Sequence, residues 1–137
     1  MSRGHRSLGH TADIVLQAWA PSRDECLAEA VIALVESFAD TSGRRAEWSR
    51  AADLPAGTDQ DTLLAALDEV IFILDTEGAV PVSVRTERTP GGLRLDLGLV
   101  ALDKVQLTGT PPKAITLHGL RFGRIDSGWS CEVIVDI

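Results

Sequence analysis

Leu93, Leu95, Leu97 and Leu99 alternate without a break with Arg94, Asp96 and Gly98. A period of two puts all four leucines on one face of an extended strand, whereas a helix would scatter them around its axis. The stretch therefore reads as a strand with one dry and one wet face. Such a face has to be covered by an apolar layer. The sequence offers that layer as two helical stripes. Leu27, Ala30, Val31, Leu34, Val35 and Phe38 recur at helical spacing, and so do Leu63, Leu64, Leu67, Val70, Ile71 and Leu74.

Breaks in the pattern place the remaining elements. A first strand spans residues 14–20, with Ile14, Leu16 and Ala18 on one face and Asp13, Val15, Gln17 and Trp19 on the other. Pro21 stops it. Ser22-Arg23-Asp24-Glu25 predicts a capping box, in which the Ser22 hydroxyl and the Glu25 carboxylate each take a free backbone N–H. The helix that follows runs to about Ala39. Thr58 with Asp61 predicts a second N-cap, and Gly78 ends the second helix. Val80, Val82 and Val84 alternate in a further strand, which Thr89-Pro90-Gly91-Gly92 turns into the leucine strand. After Gly109-Thr110-Pro111-Pro112, residues 114–120 and 129–137 read as two last strands. Residues 41–57 carry little pattern, with a strand candidate over 47–52. The expected fold is α+β, two amphipathic helices packed on a mostly antiparallel sheet, in one domain over residues 1–137.

Composition narrows the function. A net charge of −7 argues against a general nucleic-acid binder, since phosphate contacts need clustered Lys and Arg. With 4% aromatic residues and no Tyr, a base-stacking platform is also disfavoured. A protein partner or a cation suits this surface better. No apolar run approaches the roughly 20 residues of a membrane helix. The basic start is not followed by a signal-type segment, so a cytoplasmic location is expected. The two cysteines, Cys26 and Cys131, show no zinc spacing and are expected to be reduced and at least partly buried.

The chemistry concentrates near the two ends. Gly9-His10-Thr11-Ala12-Asp13-Ile14 opens the first strand, and Val133-Ile134-Val135-Asp136-Ile137 closes the last. If those strands are neighbours, Asp13, Asp136 and the Ile137 carboxylate converge, and mutually repelling carboxylates call for a cation. The alternative is structural: Asp13 capping a turn with His10 and Thr11, and Asp136 on a solvated chain end. In Lys113-Ala114-Ile115-Thr116-Leu117-His118, alternation sets Ile115 and Leu117 on one face, with Thr116 and His118 on the other. That segment either flanks an anion with Lys113 and His118 or is an ordinary polar edge strand. Asp61, Asp68, Glu69 and Asp75 on the second helix are either solvated surface or a docking face. No Walker A loop, GxSxG, HExxH or GxGxxG is present.

Taken together, Gly9-His10-Thr11-Ala12-Asp13-Ile14, Lys113-Ala114-Ile115-Thr116-Leu117-His118-Gly119-Leu120 and Gly128-Trp129 through Val135-Asp136-Ile137 resemble the archease family over essentially the whole chain. The resemblance implies a compact α+β protein that activates an RtcB-type RNA ligase. It would promote guanylylation of the ligase histidine and multiple turnover in tRNA splicing or RNA repair, without being an enzyme itself. It also implies a divalent cation, calcium first with Mg2+ or Mn2+ as alternatives, held by Asp13, Asp136 and Ile137. Lys113 and His118 match a family motif without an assigned role. Pro112 before Lys113 and Leu117 before His118 depart from the common pattern. Two other readings stay open beside this one: a stand-alone metal-dependent phosphohydrolase with His118 as acid or base, and a general chaperone for RNA-processing proteins.

Overall fold

The computed structural model describes residues 2–9 and 13–137; His10 of the opening motif lies outside them. Among the described residues, nine strands and two α-helices follow in the order β1 (Gly4–Gly9), β2 (Asp13–Ala20), α1 (Arg23–Glu36), β3 (Ala39–Asp40), β4 (Trp48–Pro55), α2 (Asp59–Glu77), β5 (Ala79–Thr89), β6 (Gly92–Ala101), β7 (Gln106–Leu107), β8 (Ala114–Ile125) and β9 (Gly128–Asp136). The strands form three ladders, β1-β2-β9-β8, β4-β6-β5 and the short β3-β7. Every pairing described is antiparallel. The expected α+β architecture stands.

The leucine strand is β6. Leu93, Leu95, Leu97 and Leu99 are 2% exposed or less, facing the helices. Helix α1 is more deeply placed than an amphipathic stripe suggests, with nine of its fourteen residues buried. It packs against β2 and β9 of one sheet, β5 of another, and α2. A helix covered on several sides is built from small and aliphatic residues nearly all round, as Cys26, Leu27, Ala28, Ala30, Val31, Ala33, Leu34 and Val35 are here.

Helix starts follow the sequence, with one difference. The Ser22 hydroxyl accepts from the Glu25 N–H at 3.2 Å. The Glu25 carboxylate, however, accepts from that same hydroxyl at 2.9 Å, so the reciprocal backbone half of the capping box is replaced by a side-chain bond. Thr58 caps α2 through the Asp61 N–H, and Gly78 ends it at φ 60, a left-handed conformation that suits glycine. Helix α1 stops at Glu36, earlier than Ala39. The Ser37 hydroxyl bonds back to Leu34 O at 2.6 Å, and Ala39 is drawn into a ladder with Leu107. The weakly patterned candidate over 47–52 is β4, paired with β6 along its length.

Strand β1 has no counterpart in the sequence pattern. Gly4-His5-Arg6-Ser7-Leu8-Gly9 lacks alternation, and its strand form comes from pairing with β2 and from ion pairs to α1. Strand β8 also differs from expectation. Its register against β9 breaks between Thr116 and Arg121, with Gly119 at φ 75 inside the break. Strict alternation is lost there, and Leu117 is turned out, 66% exposed, instead of joining Ile115 on the inner face.

Candidate metal centre

The last strand is not an edge. β9 runs between β2 and β8, so a segment from the end of the sequence holds an interior place in its sheet. Its inner face is core: Cys131 is 5% exposed, and Val133 and Val135 are fully buried. Ile137, one residue beyond the strand, packs partly buried against the same core. The position of Asp136 is thereby fixed from both sides, unlike that of a solvated chain end.

Register then sets the site. Asp13 is the direct cross-strand partner of Asp136, and Ala114 faces Asp136 from the other side. Directly opposed residues on an antiparallel pair have Cβ atoms about 4.5–5.5 Å apart and point to the same face. That face is the outer one, shared by Val15 with Ile134 and by Gln17 with Glu132. Asp13 is half-buried and Asp136 exposed. The Lys113 N–H donates to the Asp136 carbonyl at 2.8 Å, which places Lys113 beside the pair.

Glu132, four rungs away on the same face, shows how a carboxylate there is satisfied. Gln17 Nε2 donates to Oε1 at 2.8 Å and Arg121 to Oε2 at 2.7 Å. Those two donors, Gln17 first, hold the Glu132 carboxyl below its ordinary value. Among the described residues no such cation engages Asp13 or Asp136. Like charges directly opposed across a rung are destabilising unless something offsets them. Two opposed carboxylates offer hard oxygen donors of the kind that calcium or magnesium takes. Among the described residues no three His, Cys, Asp or Glu side chains converge as a ligand group. A cation at this rung would find two side-chain carboxylates at most, with its other coordination positions left to water or to oxygens of a partner.

The other candidates separate. Lys113 lies at the acidic pair. His118 lies five residues along β8, exposed, with its N–H donating to the Thr116 hydroxyl at 3.2 Å. His118 thus falls inside the register break, past Thr116, while Lys113 bonds Asp136 at the start of the strand. Sequence reasoning missed β1, which sets Leu8 opposite Val15 on the outer face; Leu8 is 49% exposed. An isolated leucine between glycines gives no periodic signal. No helix among the described residues is long and apolar enough to cross a membrane.

Residues 5–137 match the archease protein family (MTH1598/TM1083). The chain is 42% identical to the probable protein archease of Mycobacterium tuberculosis over 136 residues, covering 99% of this chain and 76% of that one. It is 32% identical to the protein archease of Archaeoglobus fulgidus over 138 residues, covering 97% and 98%. The solution structure of Methanobacterium thermoautotrophicum protein 1598 superposes with a TM-score of 0.77 at 25% identity, covering 98% and 99% of the two chains. An archease from Thermotoga maritima, described as a possible chaperone, shares the fold at a TM-score of 0.69 and 23% identity, over 95% and 94%. With a family match over nearly its whole length and the same α+β fold in solved relatives, this chain belongs to the archease family.

Proposed function

We propose that this protein is a non-enzymatic activator of an RtcB-type RNA ligase in the cytoplasm, acting through one divalent cation held by Asp13, Asp136 and Ile137. The observation that carries the reading is the cross-strand pair of Asp13 and Asp136, with no cation partner among the described residues, at the end of an interior strand. Calcium is the first choice for the ion, with Mg2+ or Mn2+ compatible with the same oxygen donors. When bound, the ion would supply positive charge to phosphate oxygens of the nucleotide used in guanylylation of the ligase histidine. Asp13 and Asp136 hold that charge on an open sheet face where a partner's cleft can reach it. The Lys113 N–H fixes the Asp136 main chain. The acidic surface disfavours stable RNA binding by this chain and favours a basic ligase cleft.

The test is multiple-turnover ligation by an RtcB-type ligase with wild-type protein, with Asp13→Ala and with neither. Stimulation by wild type and its loss in a variant that retains wild-type circular dichroism is the expected result. Equal stimulation by both proteins would overturn the role of Asp13. Suppressed aggregation of unrelated clients, independent of Asp13 and metal, would point to the chaperone reading instead.

A further inference from the structure

Away from the acidic pair, the two cysteines are thiols to which no role has been given. Cys26 on α1 and Cys131 on β9 are 0% and 5% exposed, and both are free thiols. The fold brings them together from distant parts of the sequence. Cys131 stands directly opposite Ala18 across the β2–β9 ladder, and the Cys26 thiol donates to the Ala18 carbonyl at 3.6 Å. Ala18 is thus the shared neighbour of both cysteines in the core layer between helix and sheet. The hydrogen bond with Cys26 and burial both push the Cys131 thiol far up, so it stays protonated at neutral pH.

We propose that Cys26 and Cys131 are a redox-active dithiol, which a peroxide converts into an intramolecular disulfide tying α1 to β9. This site is independent of the cation reading above. One cysteine, Cys131 being the less buried, attacks hydrogen peroxide as its thiolate. The O–O bond breaks, one oxygen stays on sulfur as a sulfenic acid, and the other leaves as hydroxide, which takes up the thiol proton to become water. The second thiolate then attacks the sulfenic sulfur. An S–S bond forms, the S–O bond breaks, and the hydroxide leaves with the second thiol proton as another water. Two thiols have lost two protons and two electrons, and one peroxide has become two waters. A small-molecule dithiol reverses the bond by exchange.

Thiolate supply sets the rate. Two buried thiols react slowly while the core is closed, and faster when β9 opens locally. The pair therefore withstands brief oxidant exposure and closes under sustained exposure.

The experiment treats the native, full-length chain with hydrogen peroxide, then denatures it, alkylates the remaining thiols and measures intact mass and peptide masses. The expected result is joint loss of both thiols in a monomer lighter by two hydrogens. A peptide containing Cys26 should be joined to one containing Cys131, separable with dithiothreitol. The oxidised form should melt at a higher temperature than the reduced form. Cys26→Ser should instead leave Cys131 as an oxygen adduct. Two alkylatable thiols persisting after an exposure that oxidises the urea-denatured chain would overturn the proposal. Oxygen adducts on both cysteines, or disulfide-linked dimers in place of the internal bond, would do so equally.

Discussion

His5 on β1 sits between two carboxylates of α1, with Nδ1 2.8 Å from Glu29 Oε1 and Nε2 against Glu36. Arg3 adds a second cation to Glu29, its Nε donating at 2.6 Å. Burial alone would lower the imidazole, but the hydrogen bonds to Glu29 and Glu36 and their charges outweigh it, leaving the pKa above the ordinary 6.5. A pKa raised by folding contributes stability that is fully present below about 6.5 and lost as pH rises through the folded-state value. The difference in thermal midpoint between wild type and His5→Gln should therefore be largest near pH 6 and shrink toward pH 8.5. Because the cluster is partly solvated, the contribution at low pH is about 1 kcal/mol or less. At the acidic pair the sign reverses. Asp136→Asn removes a like-charge contact, so in chelator the midpoint should stay level or rise, by up to about 1 kcal/mol of stability. Calcium should then raise the midpoint of wild type and not of the variant. Equal calcium effects on both would remove Asp136 from the ligand set.

At the scale of elements, the break in β8 turns on Gly119. Its φ of 75 strains any other residue, and an added Cβ would come 3.2 Å from Ile134 Cδ1. Gly119→Ala should cost about 1–2 kcal/mol by denaturant unfolding. The same break explains what the sequence could and could not reveal. Where one face is buried, as in β6 and β9, alternation marks the strand and its facing residues correctly. Leu117 belies the rule because a left-handed glycine two residues later resets the alternation, and that conformation is not encoded in any hydrophobic period. Strand β1 was hidden for another reason: its order comes from partners supplied by β2 and α1, not from its own residues. The opposition of Asp13 and Asp136 was conditional on strand adjacency, which only the sheet order decides.

Across the whole molecule, α1 is the common wall between layers. It touches β2 and β9 on one side and β5 on another, with Leu34 completely buried. Leu34→Ala should lower stability by about 2–5 kcal/mol, read as a drop in denaturant midpoint with unchanged slope. The ordering of β9 carries a kinetic consequence. Gln17 and Glu132, which bond across the β2–β9 ladder, are 115 residues apart in the chain. Closing so long a loop is entropically unfavourable and gains nothing until the two strands meet, so that pairing belongs late in folding. Until then β2 and β8 both present bare backbone toward the empty central place, inviting a β9 from a neighbouring copy. Refolding at high concentration should for this reason yield strand-exchanged dimers or aggregates before it yields monomer.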